Sequence, residues 1–129
     1  MSYDKNNIFA KILRGEIPCK KVYENDHVLA FHDINPQKKV HVLVIPKGEY
    51  VDLNDFNNKA SDKEIVELNK ALTHVANLMG AKDKGYRALT NIGSDGGQEV
   101  PHLLLKHLGS YRSKVYWYKT YLEKNFFSL

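Results

Sequence analysis

The most informative segment of this 129-residue chain is Gly96-Gly97-Gln98-Glu99-Val100-Pro101-His102-Leu103-Leu104-Leu105-Lys106-His107-Leu108-Gly109. Its two leading glycines predict a loop, because a residue without Cβ lets the backbone come close to its neighbours or to an anion. The apolar residues that follow predict an extended strand over 100–108. Successive side chains of a strand point to opposite faces, so residues 102, 104 and 106 share one face and residues 103, 105 and 107 share the other.

The rest of the chain predicts two helices and four further strands. An asparagine at position 6 or 7 could cap a short helix that runs to residue 13. Ser61 and Glu64 form a capping box that starts a longer helix, and Gly80 ends it. The further strands are expected over residues 21–24, 28–31, 40–45 and 86–91. Because the connections resemble hairpins and not repeated βαβ units, we expect an α+β fold with a five-stranded, mostly antiparallel sheet.

The composition indicates a single domain without a membrane span. A chain of 129 residues can bury a core, and no apolar run approaches the roughly 20 residues that a membrane-spanning helix needs. The N-terminus lacks an apolar signal core and Cys19 is the single cysteine, so we expect a cytoplasmic protein without an internal disulfide. Most of the net charge of +4 lies in residues 111–129. The body is therefore nearly neutral, which argues against nucleic-acid binding.

We expect a domain over residues 1–110 and an aromatic, basic C-terminal extension over residues 111–129. In the extension Val115, Tyr118, Leu122 and Phe126 are spaced roughly as a helical stripe. Aromatic residues interleaved with lysine could also contact RNA. We favour a packing or partly disordered extension over an RNA contact.

A spaced pattern lies within residues 96–109, and its members are Gly97, Gln98, Glu99, Val100, His102, Leu108 and Gly109. This pattern resembles the signature of the histidine triad (HIT) nucleotide-binding proteins, Gly-Gln-(Ser/Glu)-Val-x-His-x-His-x-His-x-Leu-Gly. Similar segments occur in the right order over residues 8–18, 29–37, 41–47 and 85–91. The resemblance covers roughly residues 5 to 109 and implies a HIT-like fold, which has the helices and strands expected above.

Two positions depart from the HIT signature. Leu104 stands where the family has its second histidine, the nucleophile, and Lys106 stands where the third histidine contacts phosphate. His107 is out of phase by one residue and should face away from the site. His102 matches the first triad histidine, and His41 matches the accessory histidine of the family. On pattern alone His41 would be a hydrogen-bonded core histidine.

The resemblance also implies a purine nucleotide site. Asp33 matches an aspartate that accepts hydrogen bonds from ribose hydroxyls, although on pattern alone it is a turn residue before Pro36. The positions that sandwich the base are Ile8, Phe9, Ile12, Phe31 and Ile34, which are ordinary core candidates on pattern alone. The positions on the phosphate side are Asn91, Gly97, Gln98, Val100 and Lys106, and without the resemblance Asn91 and residues 93–96 indicate a polar hairpin loop.

These features predict a HIT-family purine nucleotide-binding protein related to nucleoside phosphoramidases and nucleotidyl hydrolases. Its catalysis is expected to be weak or lost, because Leu104 has no lone pair with which to attack phosphorus. The expected partners are a purine nucleoside monophosphate or related nucleotide and a second copy of the chain in a homodimer. No cofactor is expected, and no metal, because the zinc-binding Cys-x-x-Cys pair of some HIT proteins is replaced by Asn7 and Ala10.

Two alternatives remain open. The chain could be a nucleotide-independent dimeric interaction protein, or it could be an active HIT hydrolase that uses another histidine, such as His41, His102 or His107, as nucleophile. Nucleotide titration separates the first alternative from the prediction, and turnover of an adenosine phosphoramidate separates the second.

Overall fold

The computed structural model describes residues 2–36 and 39–109, which form one five-stranded sheet with helices on both faces. The expected extension over residues 111–129 lies outside the described residues. Within the described part, no helix is long and apolar enough to cross a membrane.

All neighbouring strands of the sheet are antiparallel, and their order is β1-β2-β3-β5-β4. The last strand therefore lies between β3 and β4, beside the centre of the sheet. The elements along the chain are α1 (Ile8–Leu13), β1 (Lys21–Glu24), β2 (Val28–His32), β3 (Val40–Pro46), α2 (Leu53–Lys59), α3 (Asp62–Leu78), β4 (Tyr86–Leu89) and β5 (Leu105–Gly109).

The two faces of the sheet carry separate apolar clusters. On one face Val42 and Val44 pack with Leu68 of α3. On the other face Leu43 packs with Phe9 of α1. Alternation along β3 thus supplies both clusters from one strand. Since α1 has only six residues, it covers part of its face, and a cavity opens beside it.

The two helix starts that the sequence predicted are confirmed. The Asn7 side chain accepts a hydrogen bond from the Ala10 amide at 2.9 Å. Ser61 and Glu64 make the reciprocal bonds of a capping box at the start of α3. Gly80, which follows that helix, has φ of +68°, a left-handed conformation that glycine adopts at low cost.

The structure contains one helix more than the two expected. Helix α2 begins after Asp52, whose side chain accepts from the Asp55 amide at 2.8 Å. The helix is rich in Asn and Asp, which are poor helix formers, and it buries only Phe56. It therefore has no apolar stripe, and its one sequence signal is the aspartate cap.

The last strand is shorter than expected, because residues 100–104 make their hydrogen bonds outside the sheet. Pro101 has no amide hydrogen to donate. The Leu103 amide donates to the Tyr50 carbonyl at 2.8 Å, and the Leu104 carbonyl accepts from the Thr90 hydroxyl at 2.7 Å. Strand β4 likewise ends at Leu89 and not at residue 91.

Candidate functional site

A cavity of about 350 Å³ lies on the α1 side of the sheet, between α1, the end of β2, the glycine-rich loop before β5, and β5 itself. Every residue that the sequence analysis assigned to catalysis or nucleotide binding borders this cavity: Ile8, Phe9, Ile12, Phe31, Asp33, Ile34, His41, Asn91, Gly97, Gln98, Val100, His102, Leu104 and Lys106.

One end of the cavity is apolar. The rings of Phe9 and Phe31 lie with centroids 6.0 Å apart and at 59° to each other, and both side chains are buried. Ile8 and Ile34 stand at the mouth with 42% and 83% of their surfaces exposed. Large apolar side chains that line a concave surface suit a flat heterocycle, which would cover them.

Asp33 stabilises a turn and also borders the cavity. Its Oδ1 accepts from the Asn35 amide at 2.8 Å, as expected of a turn aspartate. Its Oδ2 lies 3.3 Å from Nε2 of His41. Burial lowers the pKa of His41, Asp33 opposes this shift, and the charge of Lys106 adds to it. Each carboxylate oxygen has a second lone pair, so Asp33 can still accept from a hydroxyl in the cavity.

The glycine-rich loop is held by its own hydrogen bonds. The Gly97 and Gln98 amides donate to the carbonyls of Ser94 and Gly93 at 3.1 and 3.0 Å. A Cβ at Gly96 would lie 2.2 Å from the Ile92 carbonyl oxygen, and Gly97 has φ of +75°. The glycines are therefore required by the loop itself. The glycines could have opened the following amides to an anion, but the amides of Gly97 and Gln98 already donate within the loop.

The Gln98 side chain is also committed to the protein. Its Nε2 donates to the carbonyls of Val51 at 2.7 Å and Val100 at 3.0 Å, and its Oε1 accepts from the Gly93 amide at 2.9 Å. Both amide hydrogens are used, so in this conformation Gln98 positions the loop and has no hydrogen left for a phosphate. Asn91 donates to the Gly96 carbonyl at 2.7 Å, which uses one of its two amide hydrogens.

His102 has both ring nitrogens engaged. Its Nε2 donates to the Pro46 carbonyl at 3.0 Å, because a carbonyl can only accept. In the neutral ring Nδ1 then accepts the hydroxyl hydrogen of Tyr3. Burial lowers the pKa of His102, which keeps the ring neutral, although the bond to Pro46 opposes the shift. His102 borders the cavity without a nitrogen that could act there.

The expected alternation around β5 is present. Leu104 packs in the cluster on the α1 face, whereas Leu103 and Leu105 belong to the cluster under α3. Lys106 borders the cavity with Leu104. His107 faces the other way, fully buried, with its ring stacked on Tyr86 at a centroid distance of 4.2 Å. Burial lowers the pKa of His107, and neither ring nitrogen has a hydrogen-bond partner among the described residues.

Several residues at the cavity were not predicted from the sequence. The segment from α1 to β1 contributes Ile17, Pro18 and Cys19, and burial raises the pKa of the Cys19 thiol. His32, at the end of β2, also borders the cavity. Loop segments carry no periodic signal, so only the spatial arrangement reveals these positions. The complete set of unpredicted residues is Ile17, Pro18, Cys19, His32, Asn35, Leu43 and Glu99.

Over residues 2–36 and 39–109, no three histidine, cysteine or carboxylate side chains cluster closely enough to hold a metal ion. The pair formed by Asp33 and His41 therefore lacks a third ligand from the described residues.

Comparison with known proteins identifies relatives along most of the chain. A family model described as HIT domain matches residues 14–112. An uncharacterized HIT-like protein of Azospirillum brasilense is 61% identical over 102 residues, which is 79% of this chain and 84% of the relative. A HIT-like protein of Helicobacter pylori is 45% identical over 97 residues, which is 75% of this chain and 89% of the relative.

Solved structures give the same result. A HIT family hydrolase from Clostridium thermocellum superposes with a TM-score of 0.78 at 38% identity, over 84% of this chain and 93% of that one. A histidine triad protein from Clostridium difficile superposes with a TM-score of 0.74 at 42% identity, over 85% of this chain and 95% of that one.

Proposed function

This chain belongs to the HIT domain family, and we propose that it is a purine nucleotide-binding member whose hydrolytic activity is weak or lost. The observation that carries the proposal is the cavity. It joins an apolar slot for a base, a carboxylate that can accept from ribose hydroxyls, and a lysine that can meet a phosphate. The one change expected to remove chemistry is at position 104, where the family nucleophile is replaced by leucine.

The other histidines are poorly placed to replace that nucleophile. His102 uses both ring nitrogens within the protein. His107 lies on the opposite face of the sheet, fully buried. His41 is 4% exposed and its Nε2 faces Asp33. An attack on phosphorus needs an imidazole lone pair directed at the substrate, so the engaged nitrogens of His102, the position of His107 and the burial of His41 all support the proposal. A cytoplasmic location forms part of the proposal, since the single cysteine has no partner within the chain.

Calorimetric titration with AMP tests the proposal. We predict that Asp33→Ala removes one or two charge-assisted hydrogen bonds to the ribose and weakens binding on the order of 1.5–3 kcal/mol, about ten- to a hundredfold in Kd. The matched control is Asp83→Ala, which removes an exposed carboxylate between α3 and β4 and away from the cavity, and should leave the Kd unchanged.

Two results would contradict the proposal. If no purine monophosphate binds at millimolar concentration, the cavity is not a nucleotide site and the protein acts through its surface. If the unmodified chain hydrolyses an adenosine phosphoramidate efficiently, catalysis has been retained with another nucleophile.

A further inference from the structure

We propose that Lys106 makes the cavity selective for nucleotides whose 5′-phosphate is unsubstituted and doubly ionised, over nucleotides whose α-phosphate carries an ester or amide substituent. The inference rests on the proposed function and specifies its ligand class. The preferred ligand is then a nucleoside 5′-monophosphate. Its doubly ionised phosphate is that of a hydrolysis product, whereas the substituted α-phosphate of a phosphoramidate or dinucleotide substrate carries one charge.

The first observation is that Lys106 is the one lysine or arginine bordering the cavity among the described residues. It is partly buried on β5, where it pairs with Leu43 of β3. None of the ion pairs among the described residues involves its ammonium group, and it borders the same cavity as His41. Its positive charge is therefore available to a ligand.

The second observation is that most of the competing donors are already used, although Asn91 keeps one amide hydrogen. The Gln98 side chain and the Gly97 and Gln98 amides donate within the loop, and both nitrogens of His102 are engaged. Burial lowers the pKa values of His102 and His41, which disfavours a positive charge on either ring. The strength of phosphate binding then depends mainly on one fixed point charge. Asp33 and Glu99 at the same cavity repel anions, and this increases the dependence on Lys106.

The third observation concerns the substituent. A phosphate monoester has a second pKa of about 6 and is almost fully dianionic at pH 8, whereas a phosphodiester carries one charge. The attraction to a point charge scales with the ligand charge, so it is roughly doubled for the dianion. The Leu104 side chain, which borders the same cavity just before β5, offers no hydrogen bond to a substituent on phosphorus. The second negative charge of a monoester therefore strengthens binding to Lys106. An ester or amide substituent loses that charge and receives no hydrogen bond from the Leu104 side chain in return.

The test compares three ligands by calorimetry at pH 8, where a phosphate monoester is almost fully dianionic. These are adenosine, AMP and the 5′-methyl phosphodiester of adenosine. We expect the unmodified protein to bind AMP about tenfold or more tightly than the methyl diester. Lys106→Met, which keeps a long apolar stem, should reduce this preference to about threefold or less, mainly by weakening AMP binding. Lys106→Arg should retain the preference, and Lys63→Met, on exposed α3 surface, is the matched control.

The outcomes separate the inference from the proposed function. Equal affinity of the unmodified protein for AMP and the methyl diester would overturn the inference, and this comparison does not depend on how any variant folds. Retention of the AMP preference by a folded Lys106→Met protein would also overturn it. If neither adenosine nor either nucleotide binds, the proposed nucleotide site itself is wrong.

Discussion

At the scale of single residues, we expect Leu104 and Lys106 to separate nucleotide binding from hydrolysis. Leu104 directly precedes β5 and Lys106 lies on it, and both border the cavity and lie outside the core under α3. In the proposed function, Leu104 stands where the family has its nucleophile, and Lys106 adds a charge that can hold the product. The positions proposed to hold the base and ribose carry no comparable change, so we expect binding and catalysis to have diverged.

We predict that Leu104→His combined with Lys106→His raises hydrolysis of an adenosine phosphoramidate above the background of the unmodified chain. In the proposed function the cavity positions the base and ribose, and positioning supplies a large part of the barrier reduction. The single change Lys106→His is the matched control and should stay at background, because it provides no nucleophile at position 104. The hydrolysis rate of all three proteins is measured as the steady-state release of AMP. Robust turnover by the unmodified chain that His102→Ala abolishes would show that another residue acts as nucleophile.

The predictability of the candidate site varies from residue to residue. Spacing alone placed residues 102, 104 and 106 on one face and His107 on the other, because the period of a strand is two. It could not show that Gln98 bonds to Val51, a residue 47 positions earlier, or that Tyr3 reaches His102 across 99 positions. Such long-range hydrogen bonds depend on tertiary packing. They decide which polar groups remain available, and so they alter the expected roles of Gln98 and His102.

At the scale of elements, the loop before β5 and the strand itself were the hardest to predict. The apolar run over 100–108 suggested one continuous strand, yet only Leu105–Gly109 joins the sheet. The first half of the run bonds to Tyr50 and Thr90, which approach it only in the folded chain. Helix α2 was not predicted because it has no apolar stripe: Phe56 is its one buried residue, and Leu53 packs partly against the same core cluster.

We predict that Gln98→Ala loosens the glycine-rich loop and lowers thermal stability, because three hydrogen bonds to the backbone are lost. At about 1 kcal/mol for each bond, the loss totals about 3 kcal/mol, and the melting temperature should fall by about 10 °C. Hydrogen exchange should accelerate in residues 91–100. Asn58→Ala, on the exposed surface of α2, is the control and should change neither measurement. If Gln98→Ala weakens AMP binding while stability and exchange are unchanged, Gln98 contacts the phosphate directly.

At the scale of the whole molecule, an exposed apolar face of α3 suits association of two copies. Helix α3 exposes 45% of Val66 and 60% of Leu78, although its other face is well packed. Among the described strands β4 lies at an edge of the sheet, beside β5. A second copy that covered the exposed face of α3 would remove apolar area from water.

We therefore predict a homodimer, with a solution mass of twice 14.8 kDa by light scattering at micromolar concentration. The resemblance to the HIT proteins suggests the dimer, and the exposed face of α3 provides a place to test it. A charge at the interface would be desolvated without a partner, so Val66→Glu should shift the mass toward the monomer while the circular dichroism is unchanged. Asn58→Glu adds the same charge on α2, outside α3, and should leave the dimer intact. A monomer mass for the unmodified chain would contradict the prediction. A dimeric Val66→Glu protein would place the interface elsewhere than on this face of α3.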